Sequence, residues 1–159
     1  MRRSLYYLWT ALSSYTVGIF VYTLILKFMG EALGSDDVSR LLFWTFPTFM
    51  CVMMGLYLLA VLILKRFNRY TFWLQTLLFF IISLIPASIV PIISGFGVFF
   101  GSSFLISVEG LLFVAMFAST SLLFSYGVWV GQEKRNRGKK IYLIVSIVIL
   151  LILIALFMV

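Results

Sequence analysis

The stretch IYLIVSIVILLILIALFMV, residues 141–159, carries no charged residue and shows no alternation of polar and apolar positions. A strand of a membrane barrel would alternate over about 10 residues, whereas this stretch is apolar on every side. In hydrocarbon each backbone N–H and C=O needs a partner inside the structure, and a helix supplies its own. At about 1.5 Å per residue, about 20 residues cross a hydrocarbon core of about 30 Å. The stretch therefore reads as a membrane-crossing helix.

Four more charge-free runs lie upstream, at residues 4–26, 41–64, 70–108 and 110–132. Three are one span long, and the run 70–108 holds a complete span, a turn and the start of the next. The fold expected is all-α. It is a single transmembrane domain over residues 1–159, a bundle of five transmembrane helices at about 5–26, 41–64, 71–90, 106–130 and 141–158.

Composition agrees. Of 159 residues, 64% are hydrophobic, 18% aromatic and 11% charged, against about 45–50% apolar and about 25% charged in a soluble domain. Too few polar side chains remain to cover a globule in water. Soluble enzymes, disordered chains, fibrous repeats and disulfide-rich secreted domains are excluded together. The single cysteine, Cys51, sits in an apolar run and reads as a small hydrophobe. With no histidine, the commonest zinc and haem ligand is missing, as is the side chain suited to proton transfer near neutral pH.

Orientation follows from lysine and arginine. Arg2 and Arg3, then Lys65, Arg66 and Arg69, then Lys134, Arg135, Arg137, Lys139 and Lys140 fall on one side of a five-span chain. Lys27 and Arg40 fall on the other, with Glu31, Asp36, Asp37 and Glu109. Basic residues of short loops stay cytoplasmic, so the N-terminus is expected inside and the C-terminus outside. The net charge of +7 is then a topology signal that also meets anionic headgroups, and no nucleic acid is expected as a partner. Trp9, Trp44, Trp73 and Trp129 lie near predicted span ends, and Tyr6, Tyr7, Tyr70, Tyr126 and Tyr142 gather at the proposed inner face, as an aromatic belt does. Arg2 and Arg3 before an apolar run resemble a signal peptide, but the run is too long and bulky for a cleaved one and reads as a retained span.

Few positions inside the membrane carry chemistry. Glu109 is interfacial if the fourth span starts near Gly110, and a turn or two inside if it starts near Ser102; buried, it would hold a cation or proton. The segment SLIPASIVPIISGFGVFFGSS, residues 83–103, contains Pro86 and Pro91, which leave the carbonyls of Ile82 and Ala87 without helical donors, followed by Gly95, Gly97 and Gly101. It reads either as a broken helix of the transporter type or as a kinked span followed by an outer loop. Small residues mark close helix approach: Gly127 and Gly131 with Ser121 and Ser125 on span 4, and Ala11, Ser14 and Gly18 on span 1. Spans 1 and 4 are expected inside the bundle, and span 5 against lipid or a partner. The loop residues Ser35, Asp36 and Asp37 read as a capped helix start, not as metal ligands.

No catalytic constellation, cofactor site or metal site is legible. The expected function is non-catalytic: an integral, multi-pass protein of the cell membrane that binds another membrane protein, itself or lipid, as an accessory, regulatory or immunity-type component. The alternative is a small transporter or channel built on Glu109 and the segment 86–101. An enzyme acting on lipid would need clustered acids, a nucleophile with its base, or metal ligands. The Ile/Leu/Phe/Lys-rich composition suits a bacterial plasma membrane.

Overall fold

A computed structural model describes residues 3–30, 35–94, 107–132 and 136–158. These residues form five helices. They are α1 (Arg3–Phe28), α2 (the consecutive segments Ser35–Pro47, Thr48–Met53 and Met54–Arg66), α3 (Phe72–Ser94), α4 (Val108–Gln132) and α5 (Asn136–Met158). Helices α1 to α4 are long and apolar enough to cross a membrane. Gly95, Gly97, Gly101, Lys134 and Arg135 lie outside the described residues.

Each helix runs past its expected span at one end or both. Helix α2 starts at Ser35, with Asp36 and Asp37 in its first turn, where acids meet the positive end of the backbone dipole. Helix α3 continues through Pro86 and Pro91 to Ser94, with both prolines inside it and buried. The helix is therefore not interrupted at either proline, and the outer loop of the kinked-span reading does not begin before Ser94. Helix α4 starts at Val108, where the Gly110 N–H donates to the Ser107 hydroxyl at 3.1 Å, a side-chain cap on the first turn.

Two turns reverse the chain through left-handed residues. Gly30 (φ 79°) ends α1, and Asn68 (φ 55°) ends α2. At Asn68 the arrangement is a Schellman motif: Arg69 N–H donates to Leu64 O and Asn68 N–H to Lys65 O, each at 3.1 Å. Asparagine tolerates this backbone region better than other non-glycine residues.

Helix α2 contains a π-helical segment, Thr48–Met53, directly after Pro47. Proline offers no N–H to the carbonyl of Phe43, and the wider turn that follows has a packing consequence. The buried residues Leu41, Thr45, Phe49, Met53 and Tyr57 recur every fourth position. In a pure α-helix each four-residue step overshoots a full turn by about 40°, so this stripe would wind off the core. A π-turn takes up one extra residue and brings the stripe back.

Helix α4 is the centre of the bundle. It runs antiparallel to α1, as the pairs Tyr6 with Gly127, Gly18 with Thr120 and Tyr22 with Phe113 require. It also runs antiparallel to α3, where Gln75 meets Ser125 and Phe79 meets Phe124. The start of α1, the end of α2, the start of α3, the end of α4 and the start of α5 thus share one end of the bundle. That end carries Lys65, Arg66, Arg69, Lys139 and Lys140.

The interior is not greasier than the exterior. Large aliphatics such as Leu58, Leu62, Ile81, Ile144 and Leu151 point outward, while Thr10, Ser13, Ser14, Thr45, Gln75, Thr120, Ser121 and Ser125 are buried. In lipid, apolar side chains gain little by moving inside, so close packing and interhelical hydrogen bonds decide which face is buried.

Candidate functional site

The seam between α1 and α4 is built on glycines. A Cβ on Gly18 would lie 1.9 Å from Thr120 Oγ1 and 2.8 Å from the Met116 carbonyl oxygen. On Gly127 it would lie 2.2 Å from Thr10 Cγ2 and 2.8 Å from the Tyr142 ring tip, and on Gly131, 2.7 Å from the Tyr6 ring. Each missing side chain is replaced by a neighbour's. Gly127 is the junction of α1, α4 and α5, and the Tyr6 hydroxyl donates to its carbonyl at 2.9 Å. Ala11, Ser14 and Ser121 lie buried along the same interior. The Ser14 hydroxyl bonds back to Thr10 O at 2.7 Å, and Ser121 bonds to Ala118 O at 2.8 Å.

Gln75 holds α3 to α4. Its side chain is wholly buried, and Nε2 donates to Ser125 O at 2.9 Å and to Ser125 Oγ at 3.1 Å. Oε1 accepts from the Tyr70 hydroxyl, and Thr76 shares a 2.9 Å bond with Ser125. Gln75, Ser125, Tyr70 and Thr76 are thus tied together at the basic end. The Tyr70 ring stacks on Trp129 with centroids 5.5 Å apart, and Lys65 Nζ lies 5.5 Å from the centroid of the same Tyr70 ring. Burial, reinforced by neighbouring Tyr7, pushes the Tyr70 phenol up to about 12.

Nearer the middle, rings close the space between α2, α3 and α4. Tyr57 stacks on Phe79 at 4.2 Å and on Phe124 at 5.3 Å, and Phe49 meets Phe124 edge-on at 6.2 Å. Among the described residues the Tyr57 hydroxyl is buried without a hydrogen-bond partner. Between α1 and α2, Tyr15 and Thr45 hydroxyls lie 2.8 Å apart. Thr45 spends its proton on Leu41 O at 2.7 Å, so Tyr15 is the donor.

Glu109 sits exposed in the first turn of α4, at the end opposite Gln75. Pro86 and Pro91 are buried within α3. Lys65 and Arg66 are exposed at the end of α2 and Arg69 just beyond it, while Lys139 and Lys140 lie near the start of α5, with Lys139 Nζ 6.0 Å from the Tyr6 centroid. Arg137 lies in the first turn of α5. Cys51 is exposed on α2. Among the described residues no group of three or more His, Cys, Asp or Glu side chains comes together to hold a metal.

Gln75, Thr10, Thr120, Tyr57 and Pro47 escaped the sequence reading. Gln75 had a signal: it is the one asparagine or glutamine within any of the five expected spans, and a side-chain amide in hydrocarbon must find partners. The others are too common in membrane helices to stand out.

These elements define a helical, multi-pass membrane protein. No family model, no curated protein and no solved structure matches the chain.

Proposed function

We propose that the chain is a non-catalytic protein of the plasma membrane that crosses it five times, N-terminus in the cytoplasm and C-terminus outside, and acts by binding another membrane component. The observation that carries this reading is the filled interior. The spaces left by Gly18, Gly127 and Gly131 are occupied by side chains of facing helices, and Tyr57, Phe79 and Phe124 stack across the middle. Such a bundle is a scaffold for outer surfaces. The gathering of Lys65, Arg66, Arg69, Lys139 and Lys140 at one end supports the orientation through the rule that basic loops stay inside.

Affinity purification of the full chain in mild detergent is expected to recover a stoichiometric membrane partner, and recovery only as a lone monomer would reject the reading. Reporter tags at the two termini are expected in opposite compartments. Glu109 supports α4 electrostatically from its first turn, so Glu109→Gln is expected to lower stability by no more than about 1 kcal/mol. Partner recovery should be unchanged, as the same purification measures.

A further inference from the structure

Where α2 turns into α3, the Schellman ending at Asn68 folds the chain back over the first turns of α3 and leaves an open groove of about 570 Å³. Asn68, Arg69 and Thr71 line one part of it, and Trp73, Leu74 and Leu77 the other. Polarity changes along the helix axis. Polar side chains occupy the connector, and three apolar ones follow within the next two turns, about 9 Å from Thr71 to Leu77 at 1.5 Å per residue. An amphiphile entering from the bilayer would meet the groove in the same order.

Charge selects among amphiphiles. Lys65, Arg66 and Arg69 are exposed close together along the chain, and no acidic residue occurs between Asp37 and Glu109. Both of those acids lie at the opposite end of the bundle. The connector also leads into the positive end of α3, whose first N–H groups have no acceptor within the helix. Trp73 is 81% exposed at the depth where indoles mark the headgroup layer.

The geometry points to a binding site for an anionic phospholipid, its phosphate held by Arg69 with Asn68 and Thr71, and one acyl chain laid along Trp73, Leu74 and Leu77. This rests on the membrane placement proposed above and names the lipid class that one surface takes. Lys65 and Arg66 add attraction without lining the groove. Each basic residue near a bilayer surface is worth about fivefold in affinity for anionic lipid.

Native mass spectrometry of the full chain in mild detergent, titrated with phosphatidylglycerol or phosphatidylcholine of equal acyl chains, tests the site. One phosphatidylglycerol is expected to bind at least about fivefold more tightly than phosphatidylcholine. Arg69→Gln should remove most of that preference and Arg69→Lys should keep it. Leu77→Trp, a substitution at an exposed position, should weaken both lipids by filling the groove. Lys139→Gln with Lys140→Gln should leave the preference in place, and circular dichroism should show every variant helical. Equal binding of the two lipids, an unchanged preference in Arg69→Gln, or displacement of the lipid by free glycerol phosphate would each overturn the site. Failure to recover a protein partner leaves this measurement untouched, so the two readings fail separately.

Discussion

Gly18 and Gly55 show how little a residue type says before its neighbours are known. Both interrupt apolar helices, yet a Cβ on Gly18 would meet Thr120 and Met116 of α4, whereas one on Gly55 meets nothing within 4 Å. Gly18→Ala is expected to destabilise the bundle by about 1–3 kcal/mol, the scale of overpacking. Gly55→Ala is expected to be neutral or slightly stabilising. Thermal unfolding in detergent compares the two directly. Asn68 makes a second residue-scale case: its φ of 55° is open to glycine and costly for a β-branched side chain. Asn68→Gly should be tolerated, and Asn68→Val should cost about 1–2 kcal/mol in the same assay.

At the scale of elements, the attachment of α3 to α4 depends on one buried amide. Gln75→Leu would remove both bonds to Ser125 and the acceptor for Tyr70. Interhelical hydrogen bonds in membranes contribute about 0.6 kcal/mol on average and up to about 1.7 kcal/mol. A loss of about 1–2 kcal/mol is therefore expected, read as a lower denaturant midpoint in mixed micelles. Tyr70 adds a pH dependence. Its phenol is raised to about 12 from an ordinary value of 10.0, so the folded chain keeps a proton that the unfolded chain gives up. Stability should be full below pH 10 and fall as pH rises toward 12, and Tyr70→Phe should flatten that part of the curve. The start of α2 and the passage of α3 through Pro86 and Pro91 were only half legible, because charge-free runs mark where a helix meets hydrocarbon and not where its hydrogen bonding stops. Ser35–Arg40 is polar and helical; the last turn of α3 follows a proline and is helical too.

Across the whole molecule, the antiparallel pairing of α1 with α4 and of α3 with α4 draws five helix ends into one basic, aromatic layer. Helix α5 joins this layer mainly at its start, through Tyr142 against Gly127 and Trp9 Nε1 donating to Ser146 at 2.9 Å. Much of its length presents exposed aliphatics, among them Ile144, Val148, Leu151 and Ile154. The expected inner pair, spans 1 and 4, was readable from glycine and serine spacing because small residues are what close approach requires. The roles of Gln75 and Tyr57 were not, because the α4 partners that fix them, Ser125 and Phe124, lie far away along the chain.

Charge spacing alone determined that this chain belongs in lipid and is helical there, since a bilayer core accepts only backbones that satisfy themselves. Which faces turn inward was left to the tertiary structure. With most sides of each helix compatible with hydrocarbon, partition into the solvent chooses weakly between faces, and the fit of rings against glycines and of hydroxyls against amides decides.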